Sequence, residues 1–123
     1  MKPFQHARIS AKKYGGCAED YQHLHDFFDS SKQTMADMRH RAILHLAFGI
    51  FLLERVFGTT ITNSSGKKVC VRDIGEDHVI QDLGFIPSVE RWLKNLPIED
   101  WMLGSRCKTQ GEKFIAYNEE KID

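Results

Sequence analysis

Apolar positions recur at helical spacing along most of this chain. Residues 4–13 and 18–29 predict two helices, separated by a glycine pair. The strongest helical pattern runs from about 34 to 57 and is followed by Gly58, a residue typical of helix ends. Because apolar side chains cover much of its circumference, we expect this long helix to lie buried at the centre of the domain.

A β-hairpin is predicted after the long helix, over about 59–74. Its first strand is 59–62, its turn is Asn63-Ser64-Ser65-Gly66, and its return strand runs to Ile74. Shorter helices are predicted over 76–83 and from Ser88 to the residue before Pro97. The predicted fold class is therefore mainly α (α+β), a compact helical domain around one central helix with an inserted hairpin.

The length of 123 residues fits a single domain, which we place at 1–103. From 104 to 123 the sequence is polar apart from Phe114-Ile115-Ala116-Tyr117, which predicts a C-terminal tail that is either docked or mobile. A content of 41% hydrophobic residues is enough for a packed core and argues against general disorder.

Charge and cysteine content narrow the class of partner and the compartment. The 17 basic and 17 acidic residues cancel, which disfavours a nucleic acid held mainly by bulk charge. No apolar run is long enough to span a membrane. Three widely spaced cysteines without a CxxC pair favour free thiols in a reducing compartment, so we expect a cytoplasmic protein.

Histidines close to carboxylates are the main candidate chemistry. His78 and Asp82 are four residues apart on a predicted helix and therefore share a face, where they can hold a metal ion or form a weak surface ion pair. Glu76 lies beside them as the candidate catalytic residue, a general base acting on metal-bound water. Nothing else in the sequence assigns a reaction, so enzymatic activity is left open.

Two further histidines are candidate metal ligands. His25 falls within the apolar face formed by Tyr21, Leu24 and Phe28, with Asp29 one turn away to orient its ring. His45 lies at the edge of the buried face of the long helix. The alternative for both is a structural histidine that hydrogen-bonds between helices.

A series of short motifs runs in a fixed order along the chain. They are Asp29-Ser30-Ser31-Lys32, Arg39-His40-Arg41-Ala42 with His45, Glu54-Arg55-Val56-Phe57-Gly58, Gly75-Glu76-Asp77-His78, Asp82-Leu83-Gly84 and Ile86-Pro87-Ser88. Over roughly residues 6 to 102, this series resembles a family of short uncharacterised proteins from bacteria and their phages. Asp77 departs from that pattern, in which Gln is expected. The resemblance implies a domain of unknown function, with no catalytic residues to transfer, and leaves open a role in host interaction.

Two functions from different classes follow from these observations. The first is binding of a divalent metal, zinc, iron or manganese, by His25, His45, His78 and Asp82. The second is a non-enzymatic interaction module that binds itself or another protein, with structural histidines and an apolar surface around Trp92 and Trp101. The two differ in whether the four candidate ligands meet in the folded chain.

Overall fold

The structure, a computed structural model, describes residues 1–105. Its helices are α1 (Pro3–Tyr14), α2 (Gln22–Asp29), α3 (Arg41–Leu44), α4 (Ala47–Phe57), α5 (Val71–Leu83) and α6 (Val89–Leu93), and its strands are β1 (Thr60–Thr62) and β2 (Lys68–Cys70). Single 3-10 turns cover Ala18–Asp20, Ser30–Gln33, Met38–His40 and Asp100–Leu103. The fold is mainly helical with one small antiparallel hairpin, which confirms the predicted class.

The chain divides into two compact units, the first of which is Met1–Leu93. The second begins at Lys94, and its described part contains a 3-10 turn in which Trp101 Nε1 donates to Glu99 Oε2 over 2.8 Å. The predicted domain border at 103 stays a prediction. The tail predicted for 104–123 lies, from residue 106 onward, outside the described residues.

The hydrophobic core joins α1, α2, α4 and α5. Phe28 and Leu24 of α2, Leu53 of α4 and Ile74 of α5 are completely buried and belong to one cluster. Full burial of side chains of this size stabilises a fold by about 1.5–3 kcal/mol each. The core packs α2 against α5, and His25 of α2 and His78 of α5 are both completely buried.

The predicted long helix over 34–57 is wrong as a single element. Helix α3 ends at Leu44, and α4 begins only at Ala47. His45 has φ −82° and ψ 64°, and the amide of Leu46 donates to the carbonyl of Leu44, which is the geometry of an inverse γ-turn. A Cβ atom on Gly49 would lie 1.8 Å from the carbonyl oxygen of Leu44, so the close approach of the two helices requires glycine there.

The predicted hairpin is shorter than expected. The strands pair from Thr60 with Cys70 to Thr62 with Lys68, and Val71 already begins α5. The residues from Val71 to Ile74, predicted as strand, are helical because their buried positions continue at spacings of three and four. Those buried positions are Val71, Ile74, Gly75, His78 and Val79.

Within residues 1–105, no helix is both long enough and apolar enough to cross a membrane.

Candidate functional site

Five of the six histidines are buried inside the first unit and come from different elements. They are His6 of α1, His25 of α2, His40 of a 3-10 turn, His45 of the α3–α4 turn and His78 of α5, each at most 2% exposed. Histidine is often left partly exposed because burial of an unpaired ring nitrogen costs free energy. Five buried histidines in one core therefore require hydrogen-bond partners for many ring nitrogens.

The carboxylate of Asp82 contacts three of these rings, those of His6, His45 and His78, and its side chain is 1% exposed. Its Oδ1 atom lies 3.1 Å from His6 Nε2, and its Oδ2 atom lies 3.0 Å from His45 Nε2 and 3.3 Å from His78 Nε2. Burial alone would raise the pKa of Asp82, but the hydrogen bonds from His45 and His6 and the contact with His78 lower that pKa well below its usual range. Asp82 is therefore ionised at neutral pH.

A buried hydrogen-bonded chain leads from Ser10 to His78. Ser10 Oγ lies 2.7 Å from His25 Nε2, and His25 Nδ1 lies 2.8 Å from His78 Nδ1. Burial, reinforced by the neighbouring imidazoles of His78 and His6, lowers the pKa of His25 to about 2. Burial also lowers the pKa of His78 to about 4, against the opposing effect of Asp82. Both rings are therefore neutral near pH 7.

Two neutral rings can place one proton between their Nδ1 atoms in only two ways. If His78 carries that proton, His25 Nε2 donates to Ser10 and His78 Nε2 keeps a free lone pair. If His25 carries it, Ser10 donates to His25 and His78 Nε2 is protonated. His78 Nε2 is buried and has no hydrogen-bond partner among the described residues, and only the first arrangement equips it to ligate a cation.

In the part of the chain that the structure describes, two groups of side chains each offer ligand atoms that all lie within 4.8 Å of one another, and the two groups share His78. In the first group, the ring of His6 stacks on that of His78 with centroids 3.8 Å apart and planes inclined by 25°. An ion between stacked rings would lie out of both ring planes, whereas the nitrogen lone pairs lie within them. This geometry disfavours the group formed by His6, His25 and His78.

The spacing of the second group is compatible with a metal ion. Its members are Asp29, His45, His78 and Asp82. Atoms bound to one tetrahedral ion at about 2.0–2.2 Å are about 3.4 Å apart. The two histidine Nε2 atoms lie 3.0 and 3.3 Å from the same Asp82 oxygen, and Asp29 Oδ1 lies 4.0 Å from His45 Nε2. The rings of His45 and His78 are inclined by 58°, so their planes can converge on one point.

His45 owes its position to the break between α3 and α4. The γ-turn at His45 ends the first helix, and its carbonyl accepts a hydrogen bond from Trp92 Nε1 over 3.0 Å. The side chain of His45 thereby enters the core, where it is completely buried, and its Nδ1 atom has no partner among the described residues. The turn conformation and the anchor on α6 together aim Nε2 at Asp82.

His40 occupies a neighbouring pocket of the core with a defined tautomer. The Ser31 hydroxyl donates to the carbonyl of His40 over 3.0 Å, so its oxygen accepts from His40 Nδ1 over 2.8 Å. Burial lowers the pKa of His40, so its Nε2 atom is unprotonated, and that atom has no hydrogen-bond partner within residues 1–105. His40 belongs to neither group of ligand atoms within 4.8 Å.

Three of the four side chains that the sequence predicts as metal ligands share one group of candidate ligand atoms: His45, His78 and Asp82. The fourth, His25, is outside that group and is the hydrogen-bond partner of His78. Glu76, the candidate catalytic residue, lies elsewhere, in a surface depression of about 230 Å³ that it lines with Glu54 and Arg72.

Sequence reasoning missed two members of this centre. Asp29 was assigned only the role of orienting His25, and His6 was given no role at all, although its ring contacts Asp82 and His78. The spacing of His25 and Asp29 was a usable signal for the first. For His6 the sequence offers no signal, because its partners Gln81 and Asp82 are 75 and 76 residues away.

Comparison with curated proteins and with solved structures gives no match. Comparison with protein families gives one, to the family described as "Domain of unknown function (DUF6915)", over residues 1–102. The match spans the complete first unit and therefore every residue of the buried centre. The chain belongs to the DUF6915 family.

Proposed function

We propose that this domain binds one divalent transition-metal ion, with Asp29, His45, His78 and Asp82 as its ligands. The observation that carries the proposal is the convergence of these four ligand atoms within 4.8 Å around a buried carboxylate. A second observation supports it: His78 Nε2 has no hydrogen-bond partner among the described residues, although it is completely buried. A bound cation would satisfy that atom.

The donor set favours zinc and leaves iron and manganese as alternatives. Two imidazole nitrogens and two carboxylate oxygens are common ligands of zinc, and the same set suits ferrous iron and manganese. Calcium and magnesium prefer oxygen ligands throughout. Because the ligands come from α2, the α3–α4 turn and α5, a bound ion would also tie these elements together.

Entry to the proposed centre is from the side of Asp29. The side chain of Asp29 is 11% exposed, whereas those of His45, His78 and Asp82 are at most 1% exposed. Asp29 Oδ1 lies 4.0 Å from His45 Nε2, farther from it than Asp82 Oδ2, which lies at 3.0 Å. The proposal assigns no reaction, and Glu76 has no part in it.

Metal analysis of the tag-free protein tests the proposal. We expect about one equivalent of zinc, iron or manganese per chain, and a rise in the melting temperature when metal-free protein is reconstituted. Asp82→Asn should abolish both effects. Asp77→Asn is the matched control on the same helix, because Asp77 pairs with Lys13 and Tyr14 away from the centre.

The wild-type result alone decides the question if Asp82→Asn does not fold. A wild-type chain that contains no metal, and whose melting temperature does not change with zinc, iron(II) or manganese(II), would refute the proposal. Retention of the metal by a folded Asp82→Asn variant would refute the ligand assignment.

A second candidate function is binding to a protein, which includes self-association. Phe48 and Phe51 of α4 contact each other at 5.9 Å between ring centroids and are 53% and 48% exposed. Exposed neighbouring aromatic side chains are typical of interaction surfaces. Light scattering at increasing protein concentration tests self-association, and Phe48→Ser with Phe51→Ser should abolish any dimer that forms.

A further inference from the structure

Arg41 is a mostly buried cationic side chain beside the proposed centre. Its side chain is 19% exposed, and its Nη2 atom lies 3.8 Å from Asp82 Oδ1, beyond hydrogen-bond distance. The Nε atom is buried without a partner among the described residues. The two oxygens of Asp82 already accept hydrogen bonds from His6, from His45 and from the N-terminal ammonium of Met1. A guanidinium is always charged and normally donates to an oxyanion, whereas within residues 1–105 the only carboxylate oxygen paired with Arg41 is this one at 3.8 Å.

The balance of charges around Asp29 and Asp82 changes when a metal ion binds. Asp29 and Asp82 carry two negative charges, and three cationic groups face them. Lys32 lies 3.5 Å from Asp29, the N-terminal ammonium of Met1 lies 3.2 Å from Asp82 Oδ1, and Arg41 lies 3.8 Å from the same atom. When a divalent ion occupies the centre, the two carboxylates neutralise that ion instead, and the three cationic groups leave a local excess of positive charge. Arg41 is the least exposed of the three, so its charge is the least screened by salt.

We infer that the metal-loaded centre binds an oxyanion, either inorganic phosphate or the phosphate group of a small ester, with Arg41 as its main donor. The inference rests on the proposed metal site and names its ligand class. A guanidinium presents parallel N–H donors that match two oxygens of a phosphate group. The remaining phosphate oxygens carry the negative charge that the nearby divalent ion attracts.

The inference predicts that metal and phosphate strengthen each other's binding. Thermodynamic linkage requires both affinities to rise by the same factor, which is about 5–150-fold for typical coupled sites. We expect at least about tenfold, because the divalent charge is the larger of the two contributions. Calorimetric titration of inorganic phosphate into the zinc-loaded 123-residue chain, freed of excess zinc, and into the metal-free chain measures this factor.

Two arginine variants separate a local site from general positive charge. Arg41→Met should remove the metal-dependent part of phosphate binding. Arg41→Lys should retain only a fraction of that part, because lysine keeps the positive charge but lacks the paired N–H donors of the guanidinium. Arg39→Met is the matched control. Arg39 is 77% exposed and is paired with Asp37 at 2.8 Å, so its loss should leave phosphate binding unchanged.

A second arm uses phenyl phosphate as the ester probe. Tighter binding of phenyl phosphate than of inorganic phosphate would support an ester as the ligand, and the reverse would support free phosphate. Equal phosphate affinity of the zinc-loaded and metal-free chains would overturn the inference, as would wild-type coupling in Arg41→Met. If Arg41→Met does not fold, the wild-type coupling factor and Arg41→Lys decide. Absence of metal binding would instead refute the proposed function, so the two failures are distinguishable.

Discussion

The Nδ1 atoms of His25 and His78 lie 2.8 Å apart in the core, so one of these two rings must donate to the other. Ser10 holds the far side of His25 at 2.7 Å. This pair fixes the ring of His78 from behind, as partners of ligating histidines do in metal sites. Its consequence is that a residue outside the ligand group controls which nitrogen of His78 is available.

Substitution of His25 by alanine should weaken metal binding, although His25 is outside the proposed ligand set. Loss of the partner of a ligating histidine typically lowers metal affinity by about 10–100-fold. It would also leave Ser10 Oγ and His78 Nδ1 without a partner, which costs about 1–3 kcal/mol for each buried group. Competition with a chelator measures the affinity, and urea denaturation measures the stability.

His23→Ala is the matched control for that variant. His23 lies on the same helix, and its ring packs edge-on against Phe57 instead of facing the centre. The metal affinity of the His23→Ala variant should equal that of the wild type. Wild-type affinity in a folded His25→Ala variant would contradict the role assigned to His25.

Gly49→Ala should destabilise the domain by about 3 kcal/mol. The added Cβ atom would lie 1.8 Å from the backbone oxygen of Leu44, and backbone atoms cannot move aside as a flexible side chain can. Gly75→Ala is the control, because a Cβ atom there would meet only side-chain atoms, the nearest at 3.0 Å from Leu53. Equal losses of the free energy of unfolding in the two variants would argue against the close approach at the α3–α4 turn.

The bond between Trp92 and the His45 carbonyl should have a measurable effect on stability. Trp92→Phe removes the donor and leaves the carbonyl of a γ-turn unpaired, which should lower the free energy of unfolding by about 1 kcal/mol. Trp101→Phe removes a bond to the exposed side chain of Glu99 and should change stability little. A loss in Trp101→Phe as large as in Trp92→Phe would show that indole size, not the bond to His45, is responsible.

The metal-free domain should lose stability as the pH falls from 7 to 4. The pKa of His78 is lowered from 6.5 to about 4, so the unfolded chain binds its proton first. Stability contributed by a neutral buried histidine is complete above pH 6.5 and is lost as the pH falls below that value. A shift of this size corresponds to about 3 kcal/mol for His78 by pH 4, and His25 acts in the same direction.

Urea denaturation of the chelator-treated chain at several pH values between 7 and 4 measures this loss. Asp82 adds to it only at the acid end, because its pKa is lowered from an ordinary value near 4 and its stabilising effect disappears below that pH. A free energy of unfolding that is constant or rises towards pH 4 would contradict burial of neutral histidines.

The sequence was sufficient to predict which residues share one side of a single helix. The spacing of His78 and Asp82 predicted a shared face, and their side chains lie 3.3 Å apart. The apolar face of α2 was predicted with His25 in it, and Leu24, His25 and Phe28 are all buried. These predictions succeed because periodicity reports which side of one helix is apolar.

Relationships between elements could not be predicted in the same way. The break at His45 depends on the close approach of Gly49 to the Leu44 carbonyl. The spacing of apolar residues along the chain carries no information about such a backbone contact. The strand predicted to Ile74 failed because alternation over a few residues also fits the first turn of a buried helix. The place of Arg41 beside Asp82 depends on tertiary packing across 41 residues.

Anomalous diffraction from crystals of the zinc-loaded chain, recorded on both sides of the zinc absorption edge, tests the metal centre most directly. We expect one strong anomalous peak about 2.0–2.2 Å from His45 Nε2, His78 Nε2 and a carboxylate oxygen of Asp82, with Asp29 as the fourth ligand. A zinc-loaded crystal whose only anomalous peaks lie at exposed side chains such as His23, with His78 Nε2 unbound, would contradict it.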